Sequence, residues 1–186
     1  MLSKFSLMNI LLCGLLLYSA QAFGQEDEEV DEEKAAYAKA VVAGHEAMLK
    51  NEYTEAVSAY SEAKELDPGN ADSFYFLACA HMAAGDVEKA EEDFKTAINV
   101  AGSKRHDVHA KCLFNLAYLE ESKKAWEDAK KAWDAYIAFA GSHQDIPVYV
   151  ENAKARIKAI DDAKALDEKY QAVRKRIADR EAINKK

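Results

Sequence analysis

Apolar positions recur with a helical period along most of the chain. From Ala35 onward, Ala40, Ala43, Gly44 and Ala47 follow one another at spacings of three and four, which predicts one face of a helix. Asn51-Glu52 interrupts that run, and Tyr53, Ala56, Val57, Tyr60, Ala63 and Leu66 resume it. Asp67-Pro68-Gly69-Asn70 is a strong stop, because Pro and Gly punctuate periodic segments. Phe74, Leu77, Ala78 and His81 then mark a third helix. Val87, Ala90, Phe94, Ala97 and Val100 mark a fourth, with Gly85-Asp86 between the two and Ala101-Gly102-Ser103 after them.

The pattern repeats. A shift of 34 residues places Gly44 on Ala78, Tyr53 on Val87, Ala56 on Ala90, Tyr60 on Phe94, Ala63 on Ala97 and Leu66 on Val100. A further shift of 39 places Ala78 on Ala117, Val87 on Trp126, Ala90 on Ala129 and Phe94 on Trp133. The five extra residues, 105–109, are expected to lengthen the first helix of the third unit at its start. Small residues (Gly44, Ala56, Ala78, Ala90, Ala117, Ala129) stand where two helices would cross, and large aromatics (Tyr60, Phe94, Trp133) stand beneath them. Small side chains let backbones approach closely, and the aromatics fill the space between neighbouring hairpins.

This arrangement resembles the tetratricopeptide repeat, a helix-turn-helix unit of 34 residues. The resemblance covers residues 37–143 as three units, 37–70, 71–104 and 105–143. The middle unit matches best; Ala40 and Ala43 are smaller than the pattern prefers, and Tyr136 stands where it expects Ala. The implied fold is an all-α solenoid of three hairpins. Beyond it, Asp145-Ile146-Pro147 reads as a helix start. Val150, Ala153, Ile157, Ile160, Leu166, Tyr170, Val173 and Ile177 keep near-helical spacing with no Gly or Pro before the last residue, so 144–186 is expected to be one long helix, continuous or bent at Asp161-Asp162. Its first half would cap the third unit, as terminal repeats require. Its second half, residues 164–186, has eight basic and four acidic residues.

Two segments precede the repeats. Residues 1–22 combine Lys4, an apolar run with Leu11, Leu12, Leu15, Leu16 and Leu17, and an Ala20-Gln21-Ala22 cleavage pattern. That order reads as a cleaved secretory signal, with the periplasm as the first expectation and the extracellular space as the second. The run is short for a membrane span, and Cys13 follows Leu12 rather than a small residue, which fits a lipoprotein signal poorly. Residues 23–34 form an acidic lead-in whose stretch 26–33 reads EDEEVDEE, a run that repels itself and buries nothing.

Composition narrows the chemistry. A net charge of −8 over 186 residues disfavours nucleic acid, which needs clustered Lys and Arg. Neither a Gly-rich phosphate loop, nor G-x-S-x-G, nor HExxH is present, so no catalytic constellation and no cofactor are expected. His106, His109 and Cys112 follow one another at intervals of three, but a zinc site wants three or four converging ligands, and the expectation is packed or solvated histidines without metal.

The resemblance implies that the first helix of each hairpin lines a concave groove. That groove would present Val41, His45 and Met48 from the first unit, Tyr75, Cys79 and Met82 from the second, and Lys111, Phe114, Tyr118 and Glu121 from the third. Some arrays of this family clamp a terminal carboxylate with Lys, Asn and Arg; the corresponding places look occupied by Val41, His45, Cys79, Phe114 and Tyr118, which form no cationic fork. In the same frame Cys79 and Cys112 stand six residues out of register on parallel helices, about 9 Å along the axis. A disulfide needs Cα atoms within about 7 Å, so two free, largely buried thiols are expected.

The function that follows is a non-enzymatic adaptor of the cell envelope. It would take a peptide or helix of a protein partner in an apolar, aromatic groove. The alternative is a structural, self-associating protein that uses its long C-terminal helix, with the groove covered by its own segment. Membrane contact is expected only through the basic C-terminal end.

Overall fold

The computed structural model describes residues 32–143, 146 and 149–184. The expected signal segment, most of the acidic lead-in, Asp145 and Pro147 lie outside the described residues. Seven helices are present among the described residues, and no strand. They are α1 (residues 32–50), α2 (Tyr53–Leu66), α3 (Ala71–Ala84), α4 (Val87–Ala101), α5 (His106–Ser122), α6 (Trp126–Ser142) and α7 (Val150–Asn184). The chain divides into two compact units at Pro68/Gly69.

In the first unit α1 and α2 form a hairpin. Gly44 is buried, and a Cβ built on it would stand 2.6 Å from Cδ1 of the Tyr60 ring. Only a residue without a side chain allows that approach. Ala40 and Ala47 are buried beside it, but Ala43, expected on the same face, is exposed. The buried stripe at 40, 44 and 47 is narrow, because residues as small as these cover little width.

The second unit carries two more hairpins and α7. Ala78 and Ala90 are fully buried between α3 and α4, and Ala117 and Ala129 between α5 and α6. Phe94 and Trp133 are likewise fully buried. One apolar cluster joins α3, α4 and α5 through Ala78, Ala90, Phe94, Ala97, Val108 and Cys112. A second joins α5, α6 and α7 through Ala117, Trp133, Tyr136, Ala153 and Ile160. Helix α7 runs unbroken through Asp161 and Asp162, and its first half caps the third hairpin.

The same turn closes each hairpin. Asn51, Gly85 and Lys124 all have positive φ, at 62°, 87° and 59°. At each, two backbone bonds seal the preceding helix: Asn51 and Glu52 N–H to the Met48 and Ala47 carbonyls, Gly85 and Asp86 N–H to Met82 and His81, Lys124 and Ala125 N–H to Glu121 and Glu120. This is a left-handed cap of the Schellman type. Gly adopts it freely and Asn tolerates it, but a lysine there sits in a region that disfavours L side chains. Lys124→Gly is therefore expected to stabilise the third hairpin by ~1 kcal/mol, whereas Gly85→Lys destabilises the second. Thermal melts followed by circular dichroism check both signs.

Candidate functional site

Each unit carries part of the expected groove. In the first, Val41 and Met48 are half-buried. The His45 ring is tied to α2, with its Nδ1 2.6 Å from the Tyr60 hydroxyl. These three belong to a different unit from the other seven and are described only within it.

In the second unit α3 and α5 offer a face on which a cavity of about 490 Å³ opens. Its lining includes Tyr75 from α3, Asp107, Lys111, Phe114 and Asn115 from α5, Tyr136 from α6, and Tyr149 and Asn152 at the start of α7. Three of the expected groove residues, Tyr75, Lys111 and Phe114, therefore converge. Phe114 is the floor: its ring meets Trp133, Tyr136 and Tyr149 edge-on at centroid distances of 4.9, 5.3 and 6.5 Å. Such T-shaped contacts suit the quadrupoles of the rings.

The charges at the rim are balanced. Arg105 bridges the starts of two helices, with Nη1 2.7 Å from Asp72 Oδ2 and Nε 2.9 Å from Asp107 Oδ1. Lys111 Nζ is 3.7 Å from the other Asp107 oxygen and 5.8 Å from the Tyr75 ring centroid. The Arg105 guanidinium holds the Asp107 carboxyl down to about 2 and Asp107 in turn raises Arg105. A rim of paired charges around aromatic walls favours an uncharged ligand group.

Four other expected positions are committed elsewhere. Tyr118 and Glu121 lie outside this cavity, where α7 reaches α5; Glu121 is half-buried there and Tyr118 stays exposed. Arg156 donates from Nε and Nη2 to the two Glu121 oxygens at 3.0 and 2.6 Å, and its guanidinium lies 5.7 Å from the Tyr118 ring. Glu121 also accepts from the Trp133 indole at 3.3 Å. Cys79 and Met82 are half-buried and pack against the cluster under α3 and α4.

Tyr75 joins the cavity to that cluster. Burial pushes its hydroxyl pKa up, with Cys79 adding to the shift. Cys79 and Cys112 are free thiols; burial raises the first to about 11, and burial with Cys79 nearby raises the second to about 12.

The expectation for the histidines needs one addition. His106 and His109 do not meet Cys112 as a ligand set; they gather with His143 around Phe139. His109 and His143 each stack on Phe139 with centroids 4.2 Å away, and His106 is 4.1 Å from His143. Burial, then His143 and His106, keep His109 below the ordinary imidazole value. Among the described residues no group of three or more His, Cys, Asp or Glu is placed to hold a metal.

The sequence reading omitted Asp107, Asn115, Tyr136, Tyr149 and Asn152. Asp107, Lys111 and Asn115 stand four apart, so extending the Lys111–Phe114 face by one turn each way finds two of them. Tyr136 carried a signal as well, being larger than the small residue its repeat position favours. Its hydroxyl accepts the Tyr149 N–H at 2.8 Å and so ties the entry to α7 to α6.

Comparison with known proteins agrees with the repeat pattern. The family model described as Tetratricopeptide repeat matches residues 47–112. The TPR2B domain of yeast Sti1, solved in complex with pHsp70, is 17% identical and superposes with a TM-score of 0.60 over 69% of this chain and 98% of that one. Over residues 47–112 this chain matches the tetratricopeptide repeat in sequence as well as in fold. PcrH, solved in complex with the chaperone binding region of PopD, superposes with a TM-score of 0.60 at 14% identity, over 70% of this chain and 95% of that one. The Sgt2 TPR domain from Aspergillus fumigatus reaches 0.56 at 22% identity, over 72% of this chain and 82% of that one. These likenesses show the fold.

Two outcomes follow from the site. An unfolded Asp has a pKa of ~3.9 and folded Asp107 one of about 2, so its contribution is intact above the unfolded value and lost as pH falls from there through the folded one. Asp107→Asn should lower the melting temperature at pH 6 and flatten its fall between pH 4 and pH 2. Thiol titration gives the second. Both cysteines should alkylate slowly at pH 8, Cys112 more slowly than Cys79, and both rapidly in denaturant, because only the thiolate attacks.

Proposed function

We propose that this protein is a non-enzymatic, exported adaptor that binds a segment of a partner protein across α3 and α5, seating one large uncharged side chain in the cavity between Tyr75, Phe114 and Tyr149. The observation that carries the reading is the combination of aromatic walls with a charge-balanced rim in a cavity of about 490 Å³. Aromatic anchors in such pockets supply most of the energy of a protein contact. The complexes of Sti1 and PcrH support a protein segment as the ligand class. Export rests on the signal-like order of residues 1–22. No helix among the described residues is long and apolar enough to cross a membrane.

The Arg156–Glu121 pair places α7 beside the end of α5 and leaves Tyr118 exposed. A partner segment anchored in the cavity would run from Tyr149 and Phe114 towards Tyr75.

Phage-displayed peptides selected on the protein should share a large apolar residue. Tyr75→Glu and Tyr149→Glu, which spare the more deeply packed Phe114, should each weaken the selected peptide by about tenfold or more, ~1.4 kcal/mol, with helicity unchanged. Peptides that bind both variants as tightly as the parent would place the site elsewhere.

A further inference from the structure

Helix α7 is longer than its capping task. Ala153, Ile157 and Ile160 pack against the third hairpin. The last links to α6 are Lys130–Asp161 at 2.7 Å and Lys164–Glu127 at 2.6 Å. From residue 165 to 183 every side chain is exposed, although the helix continues to Asn184. Leu166, Tyr170, Val173 and Ile177 are 53, 55, 47 and 52% exposed, and their spacing of four, three and four is that of a coiled-coil seam. A projecting helix with an uncovered seam is marginal by itself in water.

The charges beside the seam are sorted along the helix. Asp162, Asp167 and Glu168 outnumber Lys164 and Lys169 in the first part; Arg174, Lys175, Arg176 and Arg180 outnumber Asp179 and Glu181 in the second. We propose that this half of α7 pairs antiparallel with the same half of a second copy of the chain, about a two-fold axis between Gln171 and Ala172. In that register Leu166 meets Ile177 of the second copy and Tyr170 meets Val173. Asp167 and Glu168 lie opposite Arg176 and Lys175, and Lys164 opposite Asp179, twice over by symmetry. Small Ala163 faces Arg180, whose long stem reaches the neighbouring acids. Lys169 facing Arg174 and Asp162 facing Glu181 are the two like-charged matches.

A parallel pair sets acids against acids and bases against bases. An anionic lipid surface would meet Asp162, Asp167 and Glu168 along with the bases. A two-fold contact buries the same patch on both chains, and only the antiparallel order makes this patch complementary to itself. With a rise of ~1.5 Å per residue, the two repeat bodies stand about 30 Å apart at opposite ends of the pair, so their grooves stay open.

Sedimentation equilibrium of the full chain tests the pairing. The mass should rise to that of a dimer with concentration, and Val173→Glu should stay monomeric with its repeats still helical. A variant with Asp162→Lys, Asp167→Lys and Glu168→Lys and one with Arg174→Glu, Lys175→Glu and Arg176→Glu should each be monomeric alone and dimeric when mixed. Leu166→Cys and Ile177→Cys chains, mixed and oxidised, should yield 166–177 linkages by peptide mass spectrometry. A mass that stays monomeric, a dimer untouched by Val173→Glu, predominant 166–166 linkages, or a monomer that pellets with phosphatidylglycerol vesicles overturns the proposal.

Discussion

The fold depends on how closely two helices can approach within a hairpin. Ala78 against Ala90 and Ala117 against Ala129 are fully buried pairs with no side chain beyond Cβ to hold the backbones apart. Gly44 takes the constraint to its limit, since even a methyl group there would fall on the Tyr60 ring. Because the crossing is so tight, the space for a large residue moves outward to the seam with the next hairpin. Phe94 and Trp133 fill that seam. The recurring left-handed turn follows from the same need, because two close antiparallel helices must be joined within about two residues.

This division of labour decides which residues are available for recognition. Positions at the crossing and the seam are fixed by packing, and what remains on α3 and α5 is the other face of each helix. There the chain placed Tyr75, Asp107, Lys111, Phe114 and Asn115. The charged members do structural work first: Arg105 ties the start of α3 to the start of α5 through Asp72 and Asp107. Neutralised in that way, they leave a rim that does not select a charged ligand.

Much of this was legible in the sequence, because the fold is written in residues separated by short, regular intervals. The small residues, the aromatics beneath them and the breaks at Asn51 and Gly85 all lie within one 34-residue period and needed no knowledge of distant contacts. Ala43 misled because three small residues in a row of spacings do not show where the stripe ends. The site was legible only in part. Tyr75, Lys111 and Phe114 follow from counting along a helix, but the ion pair that engages Glu121 comes from Arg156, 35 residues downstream. Spacing within one helix also missed His143 beside His106, which meet because the start of α5 and the end of α6 lie together at the open end of an antiparallel hairpin. Tyr136 is instructive: its departure from the repeat pattern weakened the match there, and the same bulk carries the hydroxyl that fastens the entry to α7.

A solenoid also leaves a problem at its end that no internal repeat has. Each hairpin buries its outer face on the next one, so the last requires a surface that gains nothing from continuing the series. Helix α7 supplies that surface with Ala153, Ile157 and Ile160, over about two helical turns, and its ion pairs to α6 finish at Lys164. If capping were its whole purpose, the residues beyond would be polar all round, as a solvated helix end is. They keep a regular apolar seam instead, with acids in excess along its first part and bases along its second. Packing within the chain explains the first half of α7 and leaves the second half's pattern without a cause, and a pattern that persists past its structural need is best explained by a surface outside the chain.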